Sequence, residues 1–266
     1  MGVLNLTPDS FYDGGRHESP SRAVEHGLRM AEEGADILDL GGESTRPGSD
    51  PVSREEEWGR VKPVLEALRR ALPETILSVD TSKAGVAEAA LAAGADMVND
   101  VSSGRADPSM IPLCADHDVP LVLMHMRGRP KTMQEAPSYG DPVLEVLEEI
   151  GERVEAAEEA GLGPGKILVD PGIGFGKRPQ DNLRLLAHLE AMTAFGHPVL
   201  VGVSRKSLIG HLTGAEPEGR LPGTLALHAA ALLRGARIFR VHDVAEHTQA
   251  LRVLEALMGE ASWPMA

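Results

Sequence analysis

Eight short apolar runs recur along the chain with helical stretches between them, and this repeat constrains the fold more than any other feature. In order they are Gly2-Val3-Leu4-Asn5, Ile37-Leu38-Asp39, Ile76 to Asp80, Met97 to Asp100, Leu121 to His125, Ile167 to Asp170, Val199 to Ser204 and Ile238 to His242. Parallel strands need a crossover between them, so strands alternating with helices predict a parallel sheet. Eight such units predict a single closed (β/α)8 barrel of the TIM type. In that architecture the active residues lie where strands run into the following loops, which selects Asn5, Asp39, Asp80, Asn99, Asp170, Arg205, Lys206, Arg240 and His242.

The even spacing leaves no place to cut the chain, so residues 1–266 read as one domain. With 42% hydrophobic but only 3% aromatic residues, the core must be built from Val, Leu, Ile and Ala, as parallel barrels require. The formal charge of −14 argues against a broad basic face, so neither nucleic acid nor an anionic membrane is expected as a partner. An anionic substrate must then meet a local cationic cluster or a metal. Cys114 is the only cysteine, which rules out an internal disulfide and fits a reducing, cytoplasmic setting. Within Ile111-Pro112-Leu113-Cys114-Ala115 it reads as helix packing rather than as a nucleophile. No run approaches the roughly 20 apolar residues of a membrane helix.

Several helices end on one kind of phrase, Glu33-Gly34-Ala35-Asp36, Ala93-Gly94-Ala95-Asp96 and Arg234-Gly235-Ala236-Arg237, which are glycine stops feeding strands. Ser53 with Glu56 predicts a capping box for the second helix, and Val86, Ala90 and Ala93 a small apolar stripe on the third. Long connections follow strands one, two and five: residues 6–15, residues 41–48 and about 127–141. Long loops on one side of a barrel are where function collects.

Asp80, Asn99 and Asp170 end strands three, four and six. Two carboxylates and an amide suit a flat, donor-rich heterocycle such as an aminopyrimidinone edge. Taken singly, each could equally cap the following helix. Val203-Ser204-Arg205-Lys206-Ser207 and Arg240-Val241-His242 follow strands seven and eight, where barrels often bind phosphate, and predict an anion site; surface salt bridges and a core histidine are the alternative. Pro171-Gly172-Ile173-Gly174-Phe175-Gly176-Lys177 fits neither G-x-G-x-x-G nor G-x-x-x-x-G-K-[ST]. Its glycines suit close approach of backbone and Phe175 to a flat ligand, or simply a tight turn. Motifs for zinc or serine hydrolysis are missing from the sequence.

Five segments, Met1-Gly2-Val3-Leu4-Asn5-Leu6-Thr7-Pro8-Asp9-Ser10-Phe11, Gly41-Gly42-Glu43-Ser44-Thr45-Arg46-Pro47-Gly48, Ser78-Val79-Asp80-Thr81, Asp170 to Lys177 and Ser204-Arg205-Lys206-Ser207, closely resemble dihydropteroate synthases in order and spacing, over nearly the whole chain. The resemblance implies a transferase of folate biosynthesis and a sulfonamide target. Such an enzyme condenses 6-hydroxymethyl-7,8-dihydropterin diphosphate with 4-aminobenzoate, releasing pyrophosphate. It further implies a pterin site of Asp80, Asn99, Met124, Asp170, Phe175 and Lys206, with Asp80, Asp170 and Lys206 catalytic. Asn5, Thr45, Arg240 and His242 would contact the diphosphate, Asn5 as the Mg2+ ligand. Phe11, Thr45, Arg46, Pro47 and Ser207 would serve the aminobenzoate and the loops over it, in a homodimer formed by the last helices.

Tyr12 stands where the family commonly has Ser. Met1-Gly2 opens inside the first strand, where family members carry a short preceding segment, so the start is expected to lie upstream or the barrel bottom to be closed differently. Two other readings fit the same residues: a pterin-binding module passing a methyl group from a folate to a corrinoid, and a non-catalytic pterin-binding protein.

Overall fold

The computed structural model describes residues 1–7 and 20–259; Phe11 and Tyr12 of the first loop lie outside the described residues. All eight expected strands are present: β1 (Gly2–Asn5), β2 (Ile37–Gly41), β3 (Ile76–Asp80), β4 (Met97–Asp100), β5 (Leu121–Met124), β6 (Ile167–Asp170), β7 (Val199–Val201) and β8 (Ala236–Phe239). Between and after them run α1 (Pro20–Glu32), α2 (Arg54–Ala71), α3 (Ala84–Ala92), α4 (Met110–Asp116), α5 (Pro142–Glu159), α6 (Pro179–Ala187), α7 (Ser207–Thr213), α8 (Leu221–Leu233) and α9 (Val244–Leu257).

The strands form one all-parallel sheet in sequence order, an α/β fold of the TIM type. Its two edges come together just past β8. Val3 N donates to Val241 O and Val241 N to Met1 O, both at 2.9 Å, with Gly2 and Val241 bridged in parallel.

The core has two parts, as two-faced burial of parallel strands demands. Leu38, Leu40, Leu77, Val79, Leu121, Leu123 and Ile167 face outward and meet the helices. Met1, Met97, Val122, Leu168 and Leu200 form a separate cluster, packed by Ile37 and Ile238. A cavity of about 410 Å³, lined by Ile37, Ile76, Met97, Pro120, Leu168 and Ile238 among others, opens beside that cluster at the N-terminal ends of the strands.

Local signals explain the helix bounds. Ser53 caps α2 by accepting from Glu56 N at 3.1 Å, but the reciprocal half of the expected box does not form, because the Glu56 carboxylate is drawn to Arg60 Nη2 at 2.5 Å. The glycine stops hold: Gly34 and Gly94 take φ of +99° and +103°, which Cβ-bearing residues avoid. Cys114 is buried in α4, its thiol pushed up to about 12 by burial, in keeping with packing rather than reactivity. Two strand ends fall short of expectation. β7 stops at Val201 and β8 at Phe239, with a register shift at Val199/Leu200, so Ser204 and Arg240 to His242 stand on the loops just above the sheet.

Candidate active site

Parallel register assembles one rim. Asn5 pairs with Gly41, Gly41 with Asp80 and Asp80 with Asn99 across β1 to β4, while Met124 on β5 pairs with Asp170 on β6. Asp80, Asn99, Met124 and Asp170 are all buried. Arg240 arrives from beyond β8 and donates from Nε to Asp39 Oδ2 at 2.6 Å and from Nη2 to Asp80 Oδ2 at 2.7 Å. Asn99 Nδ2 donates to the same Asp39 oxygen at 3.0 Å. Lys206 Nζ lies 4.4 Å from the centre of the Phe175 ring and donates to Ile173 O.

Helix capping does not explain these residues. α3 starts at Ala84, its N-cap position is Lys83, and it receives no cap from Asp80. Asp100, not Asn99, organises its loop, accepting from Ser102 N and Oγ at 2.8 Å and from Gly104 N at 2.6 Å. Asp170 does serve its own turn by accepting from Gly172 N at 2.7 Å through Oδ1. Asp80 Oδ1 is buried and has no hydrogen-bond partner among the described residues, an acceptor free to take a donor from a ligand.

The electrostatics follow from burial. Burial raises the Asp80 carboxyl to about 7 against the opposing pull of Arg240, with Asp39 adding to the rise. Asp170 is likewise raised by burial, opposed by the Gly172 amide and Lys206. Burial lowers the Lys206 ammonium to about 8, opposed by Asp170. Burial also opposes the charge on Arg240, but Asp39 and Asp80 more than offset it, so Arg240 stays cationic. His242, beside Ser204 Oγ at 2.9 Å from Nδ1, is lowered to about 4 by burial and then by Arg240. Near neutral pH it is therefore a neutral hydrogen-bonding ring, and of the segments expected to form the anion site it is Arg240 and Lys206 that bring positive charge to the rim.

The remaining sequence-selected residues divide. Arg205 takes the surface alternative: at φ +56° it turns outward and pairs with Asp243, Nε to Oδ2 at 3.0 Å. Asn5 is half-buried at the end of β1. Thr45 is half-buried while Arg46, Pro47 and Ser207 are exposed, and Arg46 contributes to the field at His242. The Thr45 loop leans on the loop after β5, through Gly48 N to Pro130 O at 3.1 Å and Lys131 to Asp50 at 2.6 Å.

Two features escape sequence reading. The strand pattern selects Asp39 by position but assigns it no role. Lys177 reads as the last letter of a glycine loop, yet its ammonium is buried and donates to Gly172 O at 2.9 Å and Phe175 O at 3.0 Å, with His125 Nδ1 2.8 Å away. It ties the loop carrying Phe175 to the end of β5. A lysine in a segment otherwise fully apolar or glycine is the one signal that could have marked it.

An all-parallel eight-strand α/β sheet whose rim sets two carboxylates and an amide against cations has the architecture of a TIM-type α/β enzyme. Residues 1–242 match the family described as pterin binding enzyme. Dihydropteroate synthase of Escherichia coli K12 is 48% identical over 258 residues, covering 97% of this chain and 91% of that protein. The structure of Xanthomonas albilineans dihydropteroate synthase with 4-aminobenzoic acid superposes at TM-score 0.91 with 52% identity, covering 99% of this chain and 93% of that one. The same enzyme in complex with 7,8-dihydropteroate superposes at TM-score 0.88 with 48% identity over the same shares. The chain belongs to the dihydropteroate synthase family.

Proposed function

We infer that the chain condenses 6-hydroxymethyl-7,8-dihydropterin diphosphate with 4-aminobenzoate, giving 7,8-dihydropteroate and pyrophosphate. The observation that carries this reading is the juxtaposition of Asp80 and Asn99 with Arg240, a heterocycle edge and an anion-binding fork within one hydrogen-bonded network. The bridge between Gly2 and Val241 supports a sheet fully closed into a (β/α)8 barrel, with residues 1–266 as one domain.

In this reading Asp80, Asn99 and Asp170 accept the ring and exocyclic N–H donors of the pterin. Lys206 and Phe175 cover its face, and Met124 lines the pocket beside Asp170. The C–O bond to diphosphate breaks at the substrate's methylene carbon, the arylamine nitrogen bonds to that carbon, and the nitrogen then gives up one N–H proton to water. Negative charge on Asp80 and Asp170 favours positive charge developing on the pterin as diphosphate departs. Arg240 stabilises the departing oxygens, and His242 and Thr45 add neutral hydrogen bonds. Arylamines keep a free lone pair near neutral pH, so the loops bearing Phe11, Arg46, Pro47 and Ser207 need only position the nucleophile.

Asn5 fits a magnesium role by its chemistry: a half-buried amide oxygen on the rim is a hard donor, and Mg2+ commonly takes only one or two protein oxygens together with waters and substrate phosphates. Bound there, the ion would supply charge neutralisation to a diphosphate. A homodimer is supported by apolar side chains left exposed on the last helices, Leu212 on α7, Leu233 on α8, and Val253 and Leu257 on α9. A cytoplasmic setting is supported by the single buried thiol; among the described residues no helix is long and apolar enough to cross a membrane.

Incubation with the dihydropterin diphosphate, 4-aminobenzoate and Mg2+, with mass detection of dihydropteroate, tests the activity. Asp80→Asn and Asp170→Asn remove charge with little change of shape, and each is expected to lower kcat about a hundredfold, the scale of losing one preorganised electrostatic group. Wild-type steady-state rates for both variants would refute their role.

A further inference from the structure

Asp39 is selected by its place in the strand pattern, yet it touches neither the reacting carbon nor the nucleophile in the proposed reaction. It sits on β2, fully buried, and three donors converge on its carboxylate. Ser78 Oγ donates to Oδ1 at 2.6 Å, while Asn99 Nδ2 at 3.0 Å and Arg240 Nε at 2.6 Å share Oδ2. Asn99 belongs to the heterocycle edge and Arg240 to the anion pocket, so one oxygen atom joins the two halves of the site.

We propose that Asp39 is a positioning residue whose Oδ2 fixes both the orientation of the Asn99 amide and the direction of the Arg240 fork, coupling binding of the pterin head to binding of the diphosphate tail. The proposal rests on the dihydropteroate synthase reading. An ionised carboxylate only accepts hydrogen bonds, so the Asn99 amide must turn Nδ2 toward Asp39 and leave Oδ1 for the ligand. The order of donor and acceptor on that edge is thereby set before any substrate arrives. The same oxygen holds Arg240 through Nε, which directs Nη2 to Asp80. Asp39 Oδ2 already accepts from both Asn99 and Arg240, which leaves it no free lone pair for a ligand, so the Nε contact persists when substrate binds. The Nη2 contact is exchangeable, because Asp80 also faces the pterin donors. As the heterocycle engages Asp80, the Nη edge is released for phosphate oxygens, which it can meet in the two-pronged geometry that guanidinium favours.

Asp39→Asn keeps the shape and removes the acceptor-only character: its own NH2 group must face Ser78 or the Asn99 and Arg240 donors. Calorimetry with 6-hydroxymethylpterin and with pyrophosphate, each alone and in the presence of the other, reads the coupling. In the wild type each ligand is expected to tighten the other. In Asp39→Asn both affinities should fall about tenfold or more, the scale of a broken charge-assisted contact, and the mutual tightening should vanish. The KM for 4-aminobenzoate should not change, which a general loss of packing would not spare. Affinities within about twofold of wild type, with coupling intact, overturn the proposal. Should the variant fail to fold, 15N NMR of the wild type decides: the Arg240 Nε–H is expected to stay protected from exchange when pyrophosphate is added, and exposure of that proton overturns a permanent anchor. Wild-type turnover with an unperturbed Asp39→Asn removes this inference alone, whereas a wild type that binds neither ligand and makes no dihydropteroate removes both readings.

Discussion

Asp80 and Lys206 place opposite demands on pH. In the proposed reading Asp80 accepts pterin donors only as a carboxylate, and burial has raised it to about 7, so its contribution is lost as pH falls through that value. Lys206 acts as a cation beside Phe175, and burial has lowered it to about 8, so its contribution is lost as pH rises through that value. The expected result is a narrow bell in kcat/KM for the dihydropterin diphosphate, with its top between the two, since this ratio reports the free enzyme. An acid limb near about 4, the ordinary carboxylate range, would mean that Asp80 is not desolvated as its surroundings require. Lys206→Ala is expected to weaken pterin binding about tenfold by calorimetry, through loss of a charged group resting against the ring and beside Asp170. His242 contributes no limb to the profile near neutrality, being already neutral above about 4.

The elements that carry these residues were legible in the sequence because each strand and its following turn is a local statement: apolar run, polar terminal residue, glycine or proline. Asp80, Asn99 and Asp170 could be assigned to a rim on that ground alone. What could not be read is which distant side chains meet there. Arg205 and Arg240 look alike in sequence, but a left-handed φ turns one outward to Asp243 while the other crosses to Asp39 and Asp80 on strands far earlier in the chain. The buried Lys177 depends on a similar non-local fact, the near contact of two loops. A Cβ placed on Gly172 would lie 1.9 Å from His125 O, and Gly172 takes a φ of +64°. Gly172→Ala is therefore expected to cost roughly 2–4 kcal/mol in denaturant unfolding and to displace Phe175, weakening pterin binding as well. Gly163 has open space around it and a φ of −63°, so Gly163→Ala should be stabilising by about 0.4–1 kcal/mol. Equal losses in the two variants would show that the close approach of the loops is not what Gly172 provides. Ser53→Ala should cost about 1 kcal/mol, since only one half of its capping box is formed.

At the scale of the whole molecule, the site depends on the first and last strands meeting. Arg240 lies between Phe239, the end of β8, and Val241, whose amide and carbonyl bond Met1 and Val3. If that seam opened, the guanidinium would swing away from Asp39 and Asp80, leaving two buried carboxylates without their cation, a loss of about 3–5 kcal/mol on the scale of broken buried pairs. The ion pairs and the seam thus protect each other, and the seam should open only when the entire sheet does. Native-state hydrogen exchange tests this: the amides of Val3 and Val241 are expected to exchange at the same free energy as Leu123 in the middle of β5, tracking denaturant concentration with the slope of global unfolding. Exchange of Val3 and Val241 through a smaller opening, insensitive to denaturant, would mean that the sheet has a free edge and that the contacts of Arg240, rather than the backbone seam, hold the two ends of the chain together.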